Sequence, residues 1–235
     1  MKRSTDLKQQ LLSIKQSIHD AERLAQRPKG SVELLAVSKT KPASDIQSLY
    51  DLGQLSFGEN YVQEAVDKIV ALSALPIEWH YVGSIQSNKT KIIAAHFDWV
   101  HTVDREKIAT RLNDVRAGKP LNILIQVNVD KSEGKSGVHP IDLNALTQTI
   151  LNLPNLRLRG LMSIPNPTNE SELRQAHQDL KQLFEDIKRN HPENGFFDTL
   201  SMGMTNDLGI AIKEGSSMVR IGTALFGARS PRKTL

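Results

Sequence analysis

Apolar side chains recur at spacings of three and four through residues 6–26, where Leu7, Leu11, Ile14, Ile18, Ala21 and Ala25 fall on one face. This is the pattern of an amphipathic helix. Pro28, Lys29 and Gly30 end it. From residue 32 onward short apolar runs alternate with longer amphipathic stretches. Val32-Glu-Leu-Leu-Ala-Val37, Leu55-Ser-Phe57, Glu78-Trp-His-Tyr-Val82, Trp99-Val-His-Thr-Val103, Asn122-Ile-Leu-Ile-Gln-Val-Asn-Val129 and residues 156–164, 199–202 and 218–221 read as strands. Residues 42–53, 61–72, 88–96, 105–116, 140–151, 171–190 and 207–214 read as the helices between them, and the helix after the last strand is short or vestigial.

Eight strands alternating with helices predict an α/β protein folded as a (β/α)8 TIM barrel. The 235 residues suit one barrel, which typically takes about 250. A single domain over residues 1–235 is therefore expected, with the N-terminal helix, about residues 5–27, packed outside it. The competing fold is an open doubly wound sheet, which usually carries a glycine-rich turn after its first strand. Here that turn reads Val37-Ser-Lys-Thr-Lys41, without glycine.

Composition narrows the function classes. Hydrophobic residues make up 39% and charged residues 24% of the chain, and the formal charge is +4. That balance fits a soluble protein with a preference for small anionic ligands. Lysines and arginines are interspersed with acids, so nucleic acid is not an expected partner. The chain has no cysteine, which excludes disulfides, thiolate nucleophiles and cysteine-ligated zinc. The N-terminus lacks a signal-peptide core, and no apolar run approaches the ~20 residues needed to span a bilayer. A cytoplasmic protein with no membrane contact is expected, and a monomer, because no long apolar surface helix stands out.

In such a barrel the chemistry lies where strands end and βα loops begin. Lys39 follows the first strand directly. A lysine partly buried at the barrel mouth has a lowered pKa, which suits an imine-forming amine. From spacing alone a solvated loop lysine is the better-supported reading, with Lys41 two residues on. Arg220 is more informative, because it interrupts the apolar strand Met218-Val-Arg-Ile-Gly-Thr223. A buried guanidinium without a partner is costly, so it should face an acid or a ligand acceptor. Gly222 and Thr223 then open a short segment where backbone N–H groups can approach a phosphate. Phosphates often bind after strands seven and eight of these barrels, and Ser201-Met-Gly203 adds a hydroxyl and an open backbone there. Asn60 with Gln63 reads as a capping box, a role compatible with touching a ligand.

Other signals carry less. Gly134-Lys135-Ser136 lacks the glycine that a Walker A loop needs at position 129, which is Val. The seven histidines show no zincin spacing, so no metal is expected. Ser163 has no G-x-S-x-G context. Arg229-Ser-Pro-Arg-Lys233 reads as a solvated tail.

Six ordered segments resemble one family: Val37-Ser-Lys-Thr-Lys-Pro42; Phe57-Gly-Glu-Asn-Tyr-Val-Gln-Glu64; Trp79-His-Tyr-Val-Gly83 followed by Gln86-Ser-Asn-Lys89; Leu158-Arg-Gly-Leu-Met162; Leu200-Ser-Met-Gly-Met204; and Met218-Val-Arg-Ile-Gly-Thr-Ala-Leu-Phe-Gly227. Over residues 34–229 the chain is similar to the pyridoxal phosphate homeostasis proteins, barrels related in fold to the N-terminal domain of alanine racemases. The resemblance implies pyridoxal 5′-phosphate (PLP) as cofactor, held as a Schiff base on Lys39. It implies phosphate contacts from Ser201, Gly222 and Thr223, with Arg220 facing the pyridine nitrogen. Asn60 would lie near the cofactor and Met162 would pack against its ring.

A guanidinium stays protonated and donates, so it would leave the pyridine nitrogen unprotonated and the ring a poorer electron sink. Barrel racemases work with this arrangement but add a catalytic tyrosine and a β domain. This chain ends at Leu235, and Tyr50, Tyr61 and Tyr81 offer no obvious base. The role the resemblance implies is non-catalytic: binding, buffering or delivering PLP, with effects on amino-acid and keto-acid pools. Apo PLP-dependent enzymes would then be partners. The alternatives are a PLP-dependent amino-acid racemase and a Schiff-base aldolase acting on a phosphorylated substrate.

Overall fold

The structure is a computed structural model and describes residues 2–130 and 134–227. Eight parallel strands close into a barrel in sequence order. They are β1 (Glu33–Val37), β2 (Ser56–Glu59), β3 (Glu78–Tyr81), β4 (Trp99–Val103), β5 (Leu121–Gln126), β6 (Leu156–Met162), β7 (Thr199–Ser201) and β8 (Met218–Ile221). Strands of a parallel sheet covered on both faces need apolar residues in succession rather than in alternation. In β4, accordingly, every residue is buried.

The intervening helices are α2 (Ala43–Tyr50), α3 (Val62–Ala71), α4 (Thr90–His96), α5 (Glu106–Val115), α6 (Leu143–Leu151), α7 (Glu170–Asn190) and α8 (Leu208–Lys213). The eighth unit has only α9 (Thr223–Phe226). The N-terminal helix α1 (Lys2–Leu24) supplies the missing cover. It packs against α8, α9 and α2 and buries Leu7, Leu11, Ile14 and Ile18. Arg27, just beyond it, donates to the carbonyls of Ile212 (2.9 Å) and Ser216 (2.6 Å). Helix α1 thus stands in for the eighth helix, which explains its long apolar face.

Two predicted strands end two or more residues before their apolar runs do. Residues 122–129 were expected as strand, yet β5 stops at Gln126; Val127 still donates to the carbonyl of Met162 and bridges to Val138. β6 stops at Met162 rather than at 164. Pairing is uneven around the ring. β5 and β6 pair from Leu121↔Leu156 to Gln126↔Met162, with one register shift between Ile123 and Leu124, whereas β7 and β8 share only Ser201↔Met218. The predicted tail at residues 229–233 lies outside the described residues.

The main core lies between strands and helices. Inside the barrel are two small apolar groups, one of Leu35, Val82 and Met218 and one of Trp99, Leu124 and Met162. Barrel interiors are usually layered with branched aliphatics. Here the remaining interior is polar: His80, His101 and Ser201 are 0% exposed and Arg220 is 6% exposed.

Candidate ligand site at the C-terminal mouth of the barrel

A cavity of about 440 Å³ opens at the C-terminal ends of the strands. It brings together Lys39, Asn60, Arg220, Gly222 and Thr223 from three separate stretches of chain. Val37, Val82, Ile164 and Met204 supply its apolar wall, and Thr205, Asn206 and Asp207 its polar rim. Met162 and Ser201 do not line it; both are fully buried beneath, inside the barrel.

Lys39 is placed by a buried ionic cluster. Lys68, on α3, donates to the carbonyl of Ser38 (2.9 Å), to Glu59 (2.7 Å) and to Glu64 (2.6 Å). The Ser38 hydroxyl donates to Glu59 (2.7 Å), and Glu64 accepts the N–H of Thr40 (2.6 Å). Both neighbours of Lys39 are therefore clamped, and Thr40 is held at φ +64°. Burial pushes the Glu59 carboxyl above its ordinary pKa, even against the attraction of Lys68. Lys41 is not solvated: it is buried and donates to the carbonyls of Phe226 (3.2 Å) and Gly227 (3.0 Å), tying the first loop to α9.

Arg220 has only neutral acceptors. Nη1 donates to Oγ of Ser201 (2.8 Å) and Nη2 to the carbonyl of Ser163 (2.8 Å). None of the ion pairs among the described residues includes it. Burial lowers its pKa to about 10, with Asp207 partly offsetting the shift, so it stays protonated near neutrality. Below it the hydrogen bonds continue through the barrel. Ser201 Oγ lies 3.3 Å from Nδ1 of His101, and Nε2 of His101 lies 2.9 Å from Nδ1 of His80. Burial, then the charges of His80 and Arg220, hold His101 well below the usual imidazole pKa, so the ring is neutral.

The rim loop from Met204 to Asp207 is pinned by its last residue. Asp207 accepts the N–H of Met204 (2.6 Å) and contacts Nε2 of His177 (3.0 Å). Burial raises its pKa, but His177 and the Met204 N–H more than reverse that and leave it below the ordinary value. Gly203 bends the chain into this loop at φ +93°, where a Cβ would meet that of Ala211 at 2.4 Å. Opposite, Gly222 and Thr223 open α9, whose first N–H groups have no partner within the helix. Asn60 is not the helix cap expected from its spacing to Gln63. The cap position belongs to Tyr61, and Oδ1 of Asn60 is buried without a hydrogen-bond partner.

Sequence reasoning missed Glu64, Lys68, His80, His101 and Thr205. Glu59 and Glu64 lay inside a segment singled out for its resemblance, but nothing in spacing linked them to Lys68. The two histidines belong to apolar strands, where an isolated polar residue was the available signal.

A barrel with a clamped lysine after β1 and a buried arginine in β8 is of the alanine racemase N-terminal type; the family model described as "Alanine racemase, N-terminal domain" matches residues 12–230. Within it, the chain belongs to the pyridoxal phosphate homeostasis protein family. It is 52% identical to the pyridoxal phosphate homeostasis protein of Pasteurella multocida over 232 residues, covering 97% of this chain and 99% of that protein. With the protein of the same name from Escherichia coli K12 it shares 48% over 236 residues, with the same coverage. Among solved structures it is similar to PipY of Synechococcus elongatus with PLP bound, at a TM-score of 0.82 and 35% identity, covering 94% of this chain and all of that one.

Proposed function

We propose that the chain binds PLP in the C-terminal cavity as a Schiff base with Lys39 and acts in the cytoplasm, as a monomer, to buffer or deliver it to apo PLP-dependent enzymes. Family membership and the PLP bound to the similar PipY support the ligand. The observation that carries the reading for this chain is Arg220. It is a buried cation with two neutral acceptors, at the floor of a cavity whose rim holds Lys39.

The residues present fit the group. A cavity of about 440 Å³ is within the range of about 300–1,000 Å³ for small-ligand sites. Arg220 offers remaining N–H donors to an unprotonated pyridine nitrogen, and Ser201 holds the guanidinium in place. The N–H groups that open α9, with the Gly222 backbone and the Thr223 and Thr205 hydroxyls, suit the phosphate. Asn60 Oδ1 is a free acceptor at the wall. Met162 packs beneath the cavity floor rather than in it. When bound, PLP supplies an aldehyde for amines and a ring that can accept electrons.

The protein's own groups favour holding over turnover. Arg220 disfavours ring protonation and so weakens the electron sink. Tyr81 donates to the carbonyl of Ser84 (3.0 Å), and burial pushes its pKa up to about 12, which makes it a poor base. Tyr61 is 42% exposed and outside the cavity lining.

Purified protein given PLP should absorb above about 400 nm, as a lysine–cofactor imine does. Borohydride followed by mass spectrometry should place the reduced adduct on Lys39, and Lys39→Ala should lose it; an adduct surviving in that variant refutes the attachment. Arg220→Ala should keep the adduct, shift the spectrum and weaken binding about tenfold or more, the ~1.5–3 kcal/mol of a charge-assisted hydrogen bond. Exchange of amino-acid α-protons in D₂O at catalytic rates would favour the racemase reading instead.

A further inference from the structure

We propose that the opposite, N-terminal mouth of the barrel binds a first-row divalent cation through Glu33, Glu78 and His80. Glu33 and Glu78 begin β1 and β3, and His80, two residues on, shares the inward face of Glu78. One donor atom from each of the three falls within 4.8 Å of the others. His80 is 0% exposed, yet its Nε2 has no hydrogen-bond partner. That nitrogen lies 3.5 Å from Oε2 of Glu78. The separation is long for a hydrogen bond, but two ligands each about 2.0–2.2 Å from one tetrahedral ion stand roughly 3.4 Å apart.

The surroundings are those of a ligand set held in place. Metal-bound imidazoles nearly always engage their second nitrogen elsewhere, and Nδ1 of His80 lies 2.9 Å from Nε2 of His101. The ring stacks on Trp99 at 5.2 Å and 9°. Trp99 Nε1 donates to Oε1 of Glu78 (2.6 Å), and Ser56 Oγ donates to Glu33 (2.5 Å) while lying 3.5 Å from Glu78. Arg159 lies over the Trp99 ring and is already paired with Asp198 at 2.7 Å. Glu33 is exposed, which leaves an entry path and open positions for water. One imidazole with two carboxylates suits zinc, manganese, iron or cobalt better than the all-oxygen preference of calcium or magnesium. The histidine spacing showed no metal site because the ligands come from separate strands.

Occupancy would leave a mark on the ring protons. With no cation, Ser201 accepts from Arg220 and so can donate to His101, whose Nε2–H then donates to His80, whose Nε2–H points at Glu78. A cation on Nε2 forces the proton onto Nδ1 of His80, and the His80–His101 bond reverses. No covalent chemistry is required, since the cation takes only lone pairs from Nε2 of His80 and from the two carboxyl groups.

The test titrates full-length, metal-stripped protein with Co²⁺ and then displaces it with Zn²⁺. One equivalent should bind, with visible ligand-field absorption that Zn²⁺ removes. Glu33→Gln, at an exposed position that leaves the fold intact by circular dichroism, should weaken binding at least tenfold, and Glu78→Gln as much or more. Imidazole ¹⁵N spectra of the Zn²⁺ form should show Nδ1–H and a metal-shifted Nε2 for one buried histidine. The proposal is overturned if wild type binds no Co²⁺, if both variants bind as well as wild type, or if the buried imidazole signals do not change. None of these results depends on PLP.

Discussion

Lys68 shows how much a single side chain behind the site carries. It is 6% exposed and has three acceptors, and it is the only cation within ion-pair distance of Glu59 among the described residues. Removing one partner of a buried pair costs about 3–5 kcal/mol, because the other charge is stranded, whereas replacing both with apolar groups is often neutral. Lys68→Met should therefore lower the unfolding free energy in urea by about that much. Lys68→Met combined with Glu59→Leu should recover most of it. A single variant as stable as wild type would show that the cluster does not hold the Lys39 loop. Lys39 and Arg220 were legible because each is a charge against an apolar background. Lys68 was not, since a lysine on a helix is ordinarily solvated and only the fold brings Ser38 and Glu59 onto it.

Among the elements, the βα alternation was readable because buried parallel strands and one-sided helices leave different apolar periods. What could not be read was where a strand ends, as at Gln126, or that α1 replaces the eighth helix, since both depend on distant partners. The short β7 and its following loop depend on Asp207 in a way that pH can expose. Its pKa is depressed in the folded chain, so its contribution is present above the unfolded value of about 3.9 and is lost as pH falls through the lower folded value. Thermal unfolding of wild type and Asp207→Asn should differ most near neutrality and converge toward pH 3 and below. Other depressed carboxylates, such as Asp130, affect both proteins equally and cancel in the difference. A gap that persists unchanged into acid would mean that Asp207 acts through shape and not charge.

Over the whole molecule, the proposed ligand touches β1 through Lys39, the loop after β7 through Thr205, and β8 through Arg220, Gly222 and Thr223. β1 and β8 close the ring, and β7 and β8 share the sparsest pairing, where Met202 and Arg220 reach across with bonds to Met218 and Gly203. A ligand that binds only the folded state stabilises it by mass action, by about 2.7 kcal/mol at a hundredfold excess over Kd. Saturating PLP should therefore slow amide exchange most in β7, β8 and the loop after β1, and least in β5 and β6. Uniform protection around the ring would contradict this placement.

The single register pair between β7 and β8 has a further meaning for a carrier. A hoop fastened by its cargo slackens when the cargo leaves, and it slackens at the buckle. Under the proposed role, loading and tightening would be one event, and a recipient that holds the slack, emptied hoop would pull the balance towards release.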